Sequence, residues 1–261
     1  MTDPRLHADG VTRTFGDVRA ISDVDLAVPA GELTALVGPN GSGKTTLLRL
    51  LAGLLDPSAG SVGYDGPAAT RRVGYLPQRP AFRPGFTARE TLAFYAGLVG
   101  DDPDRLLDRV GLSAVADRRV EALSGGTTRL LGVAQALSGA PPAVVFDEPA
   151  SGLDPTMATR VFETAAALAA DGHAVVVSSH DLARVQRRAD RVAVLDRGEL
   201  VTTAPPDQLR DEWGGPLVET FADAVGGDGV LQAHADADRE VAAQPDRSPC
   251  PEADTPAEVE E

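Results

Sequence analysis

Residues 38–45, "GPNGSGKT", fit the pattern G-x-x-x-x-G-K-[ST] in full. They sit between an apolar run, "ELTALVG", that reads as a buried strand and a helical run, "KTTLLRLLAGLL", predicted to end near Asp56–Pro57. A strand that enters a helix through so tight a glycine loop commits the chain to an α/β layer architecture, with the loop's N–H groups facing outward beyond the strand end. The expected anion site is Gly38, Pro39, Asn40, Gly41, Ser42, Gly43, Lys44, Thr45 and Thr46. The glycines let backbone N–H groups close around a β-phosphate, the Lys44 ammonium reaches the β/γ oxygens, and the Thr45 hydroxyl can sit on Mg²⁺. Lys44 is the only lysine in the chain.

The remaining pattern extends that architecture. Residues 5–28 alternate apolar and polar positions around Gly16 and Asp17, which predicts an antiparallel pair. "RRVGYLPQ" gives a short strand, and residues 86–137 carry apolar positions at helical spacing and form a helical insertion. "PAVVFDEP", "HAVVVSSHD" and "DRVAVLDRG" are three apolar strands separated by helical stretches, the βαβ rhythm of a mainly parallel sheet, and a hairpin at Arg197–Gly198 leads into "ELVTTA". The expected organisation is a catalytic domain over 1–210 and a tail over 211–261.

Charge supports that division. Residues 1–210 carry 25 Asp/Glu against 22 Lys/Arg, whereas residues 211–261 carry 14 against 2, so the tail is expected to be acidic and disordered. An acidic chain without a basic stripe is a poor partner for nucleic acid. No apolar run reaches the roughly 18 to 20 residues that span a bilayer, and "MTDPRLHADG" lacks the plan of a secretory signal, so a cytoplasmic location is expected. Cys250, the single cysteine, excludes an internal disulfide framework; a solubilising or disordered segment is the default reading of the tail, with regulation through Cys250 or His234 the minor alternative.

Further polar residues cluster at strand ends, where open α/β sheets bind ligands. Asp147 and Glu148 close "AVVFDEP", and alternation gives them different surroundings: Asp147 fits a carboxylate that holds Mg²⁺, Glu148 a base that orients and polarises the attacking water. Gln78 in "YLPQ" can reach Mg²⁺ or that water, and His180 in "VVVSSHD" can contact a γ-phosphate. Phe15 either stacks on a purine ring or packs in the core. "LSGG" at 123–126 is a second helix start that invites an anion.

Taken in order, these segments resemble the ATP-binding subunits of ABC transporters over about residues 5–210. Phe15 matches the adenine-stacking aromatic, Gly38–Thr45 Walker A, Gln78 the Q-loop, "LSGG" the signature, "VVFDEP" Walker B, "SGLD" at 151–154 the D-loop and His180 the H-loop. The resemblance implies a P-loop fold with an antiparallel N-terminal β subdomain and an α-helical insertion. It implies ATP and Mg as ligands and a head-to-tail homodimer in which Ser124, Gly125 and Gly126 of one subunit close over the other's ATP, with Asp154 carrying information across the interface. It also implies integral membrane permease subunits docking near residues 79–95, on the inner face of the membrane. The acidic tail holds too few apolar residues to build the large C-terminal regulatory domain common in sugar importers, so none is expected.

Where the family usually has Gln after LSGG, this chain has Thr127, Thr128 and Arg129, which predicts slower hydrolysis or altered coupling with the site intact. The segments "VGYLPQRPAF", "TARETLAFYAGL" and "VGLSAVADRRV" look most like the export and multidrug branch. They are also similar to ATPase subunits associated with nitrous-oxide reductase maturation. Two other functions remain open: a soluble ABC-type ATPase outside transport, which a pull-down from membranes separates, and a nucleotide sensor that does not hydrolyse, against which Glu148 argues.

Overall fold

The computed structural model describes residues 5–66 and 68–225. Strand β1 (Arg5–Phe15) pairs antiparallel with β2 (Val18–Pro29), and Phe15 faces Val18 across the Gly16–Asp17 turn. Strand β4 (Ala59–Tyr64) pairs with the other edge of β1, giving the order β2-β1-β4. Sequence patterning passes over β4, because "AGSVGY" holds two glycines and its side chains are exposed or half-buried.

The second sheet contains β3 (Leu33–Val37), β5 (Val73–Leu76), β6 (Ala143–Phe146), β7 (Ala174–Ser178), β8 (Arg191–Asp196) and β9 (Glu199–Ala204) in the order β5-β6-β7-β3-β8-β9. All pairings are parallel except β8–β9, the expected hairpin. Both faces are covered, which is why the inner strands read as unbroken apolar runs. Leu33, Ala35, Val37, Val144 and Phe146 enter the larger core cluster; Leu36, Val145 and Val176 point to the opposite side, against the first sheet and helix α1 (Lys44–Leu51). Helix α1 ends earlier than expected, since Ala52 caps it and Gly53 takes φ 66°.

Residues 86–137 form α2 (Ala88–Val99), α3 (Pro103–Arg109), two 3₁₀ turns and α4 (Gly125–Ala136). Three more helices complete the larger layer: α5 (Pro155–Ala170), α6 (Leu182–Arg188) and α7 (Pro206–Trp213), followed by α8 (Leu217–Ala224).

The expected domain end at residue 210 falls inside α7, so disorder does not begin at 211. Leu209, Leu217 and Val225 are buried, Trp213 meets Phe221 edge-to-face with ring centroids 6.3 Å apart, and the Leu217 N–H donates to Gln186 Oε1 on α6. Averaging over a long acidic stretch hides the reason: Trp213, Leu217, Phe221 and Val225 recur every fourth residue, a helical stripe. Residues 226–261, with His234 and Cys250, lie outside the described residues.

Candidate nucleotide site

The order β5-β6-β7-β3 places four C-terminal strand ends side by side. Gln78 follows β5, Asp147 and Glu148 follow β6, His180 follows β7, and the Gly38–Thr45 loop follows β3. The register keeps these ends level: Leu76 pairs with Phe146, Phe146 with Val177, and Leu36 with Ser178.

The loop turns into α1 at Gly43, whose φ of 103° suits glycine alone; a Cβ there would also lie 2.6 Å from the Ala20 carbonyl oxygen. Helix α2 starts with a capping box made by Thr87 and Glu90, and α5 with Asp154 accepting from the N–H groups of Thr156 and Met157. Helix α1 has no side-chain cap and no acidic residue in its first turn, so its N–H groups face the cleft. Lys44 Nζ donates to the Gly38 and Pro39 carbonyls, each at 2.8 Å. Burial lowers the Lys44 pKa, while the nearby carboxylates of Glu148 and Asp147 oppose that shift.

Asp147 is almost wholly buried. Its Oδ1 accepts from Thr45 Oγ1 at 3.2 Å and from Ser178 Oγ at 2.9 Å, and its Oδ2 accepts from the Tyr75 hydroxyl at 3.4 Å. Glu148 turns the other way. It adopts φ 45°, an uncommon conformation for a non-glycine residue, and its N–H donates to Ser178 Oγ at 2.7 Å. Its Oε2 lies 2.8 Å from His180 Nδ1. Ser178 therefore bridges the two acidic residues, giving its hydrogen to one and accepting from the backbone of the next. Ser178 and Tyr75 were both missed by motif reading; the sole sequence signal for Ser178 is a polar residue ending an otherwise apolar strand.

Asn40, Gly41, Gly43, Lys44, Thr45, Thr46, Gln78 and Glu148 line one open cleft of about 320 Å³ together with Ala20. Pro39 and Ser42 shape it from behind: the Pro39 carbonyl accepts from the Ser42 N–H, and the Ser42 carbonyl accepts from the Gly198 N–H. A larger hollow of about 630 Å³ lies between the end of α1 and β4, away from the paired carboxylates and the glycine loop, and it carries none of this chemistry.

Phe15 does not line the cleft. It stands beside the β1–β2 turn with 46% of its surface exposed, which rules out core packing, and the Arg13 guanidinium lies 4.6 Å from its ring centroid. Ser124, Gly125, Gly126 and Asp154 also lie outside the cleft, at the starts of α4 and α5. Those two starts are neighbours, since a Cβ on Gly126 would come within 2.8 Å of Met157.

Among the described residues no group of three or more His, Cys, Asp or Glu could hold a metal ion. A hard cation could instead use the convergent oxygens of Thr45 and Asp147 with Gln78 nearby, a small set that leaves positions for phosphate oxygens.

Residues 21–151, half of the chain, match the family described as ABC transporter. The chain belongs to the ABC transporter family. It is 35% identical over 226 residues to the Nod factor export ATP-binding protein I of Bradyrhizobium diazoefficiens, covering 81% of this chain and 74% of that protein. It is 38% identical over 222 residues to the Fe(3+) ions import ATP-binding protein FbpC of Pseudomonas fluorescens, covering 78% of this chain and 62% of that one. A solved ATP-binding subunit of an ABC transporter superposes with a TM-score of 0.74 at 24% identity, covering 85% of this chain and 99% of that structure, which establishes the shared fold. As an ABC transporter ATP-binding subunit, the chain is an ATPase-type component that takes adenine nucleotide. No helix among the described residues is long and apolar enough to cross a membrane.

Proposed function

We propose that this ABC transporter subunit hydrolyses ATP in the cleft above β3, β5, β6 and β7, and that a head-to-tail pair of such subunits drives separate membrane permeases. The observation that carries this is the convergence of Lys44, Asp147, Glu148 and His180 on adjacent strand ends, while the Ser124–Gly126 helix start lies outside that cleft, where a second copy would meet it.

Each residue has a role its surroundings support. The loop N–H groups and Lys44 bind the β- and γ-phosphates. Thr45, Asp147 and Gln78 would hold Mg²⁺, which neutralises phosphate charge when bound. Glu148 accepts a proton from water as the water oxygen bonds to the γ-phosphorus and the bond to the β–γ bridging oxygen breaks. His180 orients Glu148 through Nδ1 and contacts the γ-phosphate. Phe15 stacks on the adenine. In the partner's site, Ser124 and the N–H groups of Gly125 and Gly126 close over the γ-phosphate, and Asp154 relays the state of one site to the other.

The permease contact falls near residues 79–95 and extends along α2, where Phe94 and Leu98 are exposed and Phe94 meets Tyr95 edge-to-face. Such an assembly sits peripherally on the cytoplasmic face of the membrane. Export is the direction we assign, on the likeness to the Nod factor protein; the iron-import relative marks the competing direction. The likeness to subunits serving nitrous-oxide reductase maturation has no diagnostic residue behind it and takes second place to the general export assignment.

Phosphate release by the purified protein, compared with Glu148→Gln, tests the reaction. Turnover should collapse in the variant, and the variant saturated with Mg-ATP should run as a dimer. Equal rates in both proteins, or a strictly monomeric variant, would remove the basis for this function.

A further inference from the structure

Helix α4 carries a buried cation that the phosphate chemistry does not use. Arg129 lies one turn beyond Gly125 with 8% of its surface exposed. Desolvation lowers its pKa, and the charges of Glu148 and Asp147 oppose that shift. A guanidinium buried this far needs acceptors. It finds them on the backbone of the Glu148 segment: Nη1 donates to the Glu148 carbonyl at 2.9 Å and Nη2 to the Ser151 carbonyl at 3.4 Å.

Those acceptors matter because of the conformation they hold. Glu148 sits at φ 45°, where a side-chain-bearing residue stays only if its surroundings over-determine it. Its N–H is held by Ser178, a residue of the central sheet, and its carbonyl by Arg129, a residue of α4. One anchor belongs to the rigid core and the other to the helix that starts at Ser124. Any shift of α4 along or about its axis therefore pulls on the peptide that aims the Glu148 carboxylate at His180.

We propose that Arg129 is a positioning residue that couples the Ser124–Gly126 helix start to the orientation of Glu148 in the same chain. When the partner's nucleotide engages that helix start, α4 is fixed, and the two-pronged guanidinium fixes the Glu148 backbone with it. A subunit thus readies its own base by closing over its partner's ATP. This rests on Glu148 acting as the base and on the head-to-tail pair. A lysine could supply the charge but not the fork that spans two carbonyls.

The test is a cycle of Arg129→Gln, Glu148→Gln and the double variant, with Arg129→Lys alongside, reading kcat, KM for ATP and thermal unfolding. Arg129→Gln should lower kcat by about ten- to a hundredfold while KM stays within about twofold, the mark of a misaimed group and not of lost binding. Arg129→Lys should recover part of the loss. In the Glu148→Gln background, Arg129→Gln should remove nothing further. Parental kcat in Arg129→Gln, or equal losses in both backgrounds, would overturn the coupling. If Arg129→Gln does not fold, Arg129→Lys decides: full parental kcat would make the residue purely structural. Undiminished turnover by Glu148→Gln would instead overturn the assignment of the base, a separately readable outcome.

Discussion

The Thr127 hydroxyl stands 2.9 Å from Ser124 Oγ, and the Thr127 N–H donates to the same oxygen at 3.3 Å. The serine expected to face a partner's γ-phosphate is thus engaged twice within the first turn of α4, by the residue that replaces the family's usual glutamine. Replacing Thr127 with Gln frees one of those contacts and adds a longer amide. Turnover should rise by about two- to tenfold, the worth of one net hydrogen bond, in a steady-state phosphate-release assay. Unchanged turnover would make the threonine neutral.

Lys44, placed on the phosphates by the proposed function, should give ATP affinity a pH dependence of definite sign. Burial holds its pKa below the ordinary lysine range, and bound phosphate favours the charged form and raises it. Affinity is then fully present below the pKa of the nucleotide-free protein and is lost as pH climbs from there toward the pKa of the complex. Titration of a fluorescent ATP analogue across the alkaline range should show that decline, and Lys44→Arg should flatten it because guanidinium stays charged. A decline of equal steepness in Lys44→Arg would assign it to another group.

One face of Phe15 is taken by Arg13, whose Nη1 donates to the Asp56 carbonyl at 2.8 Å. The ring is therefore braced, with exposed surface left for a base. Phe15→Ala should weaken ATP binding by about 1–3 kcal/mol and leave inorganic tripolyphosphate binding unaltered. Calorimetry with both ligands separates the cases, and equal losses for the two would show that the aromatic never meets the adenine.

Docking of the α7–α8 hairpin on α6 should be measurable as stability. Leu217 is 1% exposed, so Leu217→Ala should cost about 2–5 kcal/mol and lower Tm by roughly 4 to 20 °C. ATP affinity should be preserved. An unchanged Tm in scanning calorimetry would mean that the hairpin is held by little more than its own helices.

Much of this fold and site is written in residue spacing. The glycine loop, the apolar strands and the Arg197–Gly198 hairpin announce themselves because one-dimensional spacing maps directly onto buried faces. Other features escaped because their cause is tertiary. Strand β4 is recruited by the edge of β1 and not by its own apolar content. Arg129 has no role of its own in the sequence until the carbonyls of Glu148 and Ser151 are placed around it. Ser178 becomes informative only when β6 and β7 lie side by side. The α7–α8 stripe was legible, but averaged charge over residues 211–261 masked it.

The hairpin between β8 and β9 reaches back across the molecule: the Gly198 N–H donates to the Ser42 carbonyl, and the Gly198 carbonyl accepts from the Ser22 N–H, both at 2.9 Å. The Gly38–Thr45 turn is thus braced by a residue more than 150 positions downstream. A ribosome must release most of the polypeptide before that brace exists, so a nascent fragment would display the motif's letters without its grip. Competence to capture fuel arrives late in biosynthesis, together with the rest of the sheet.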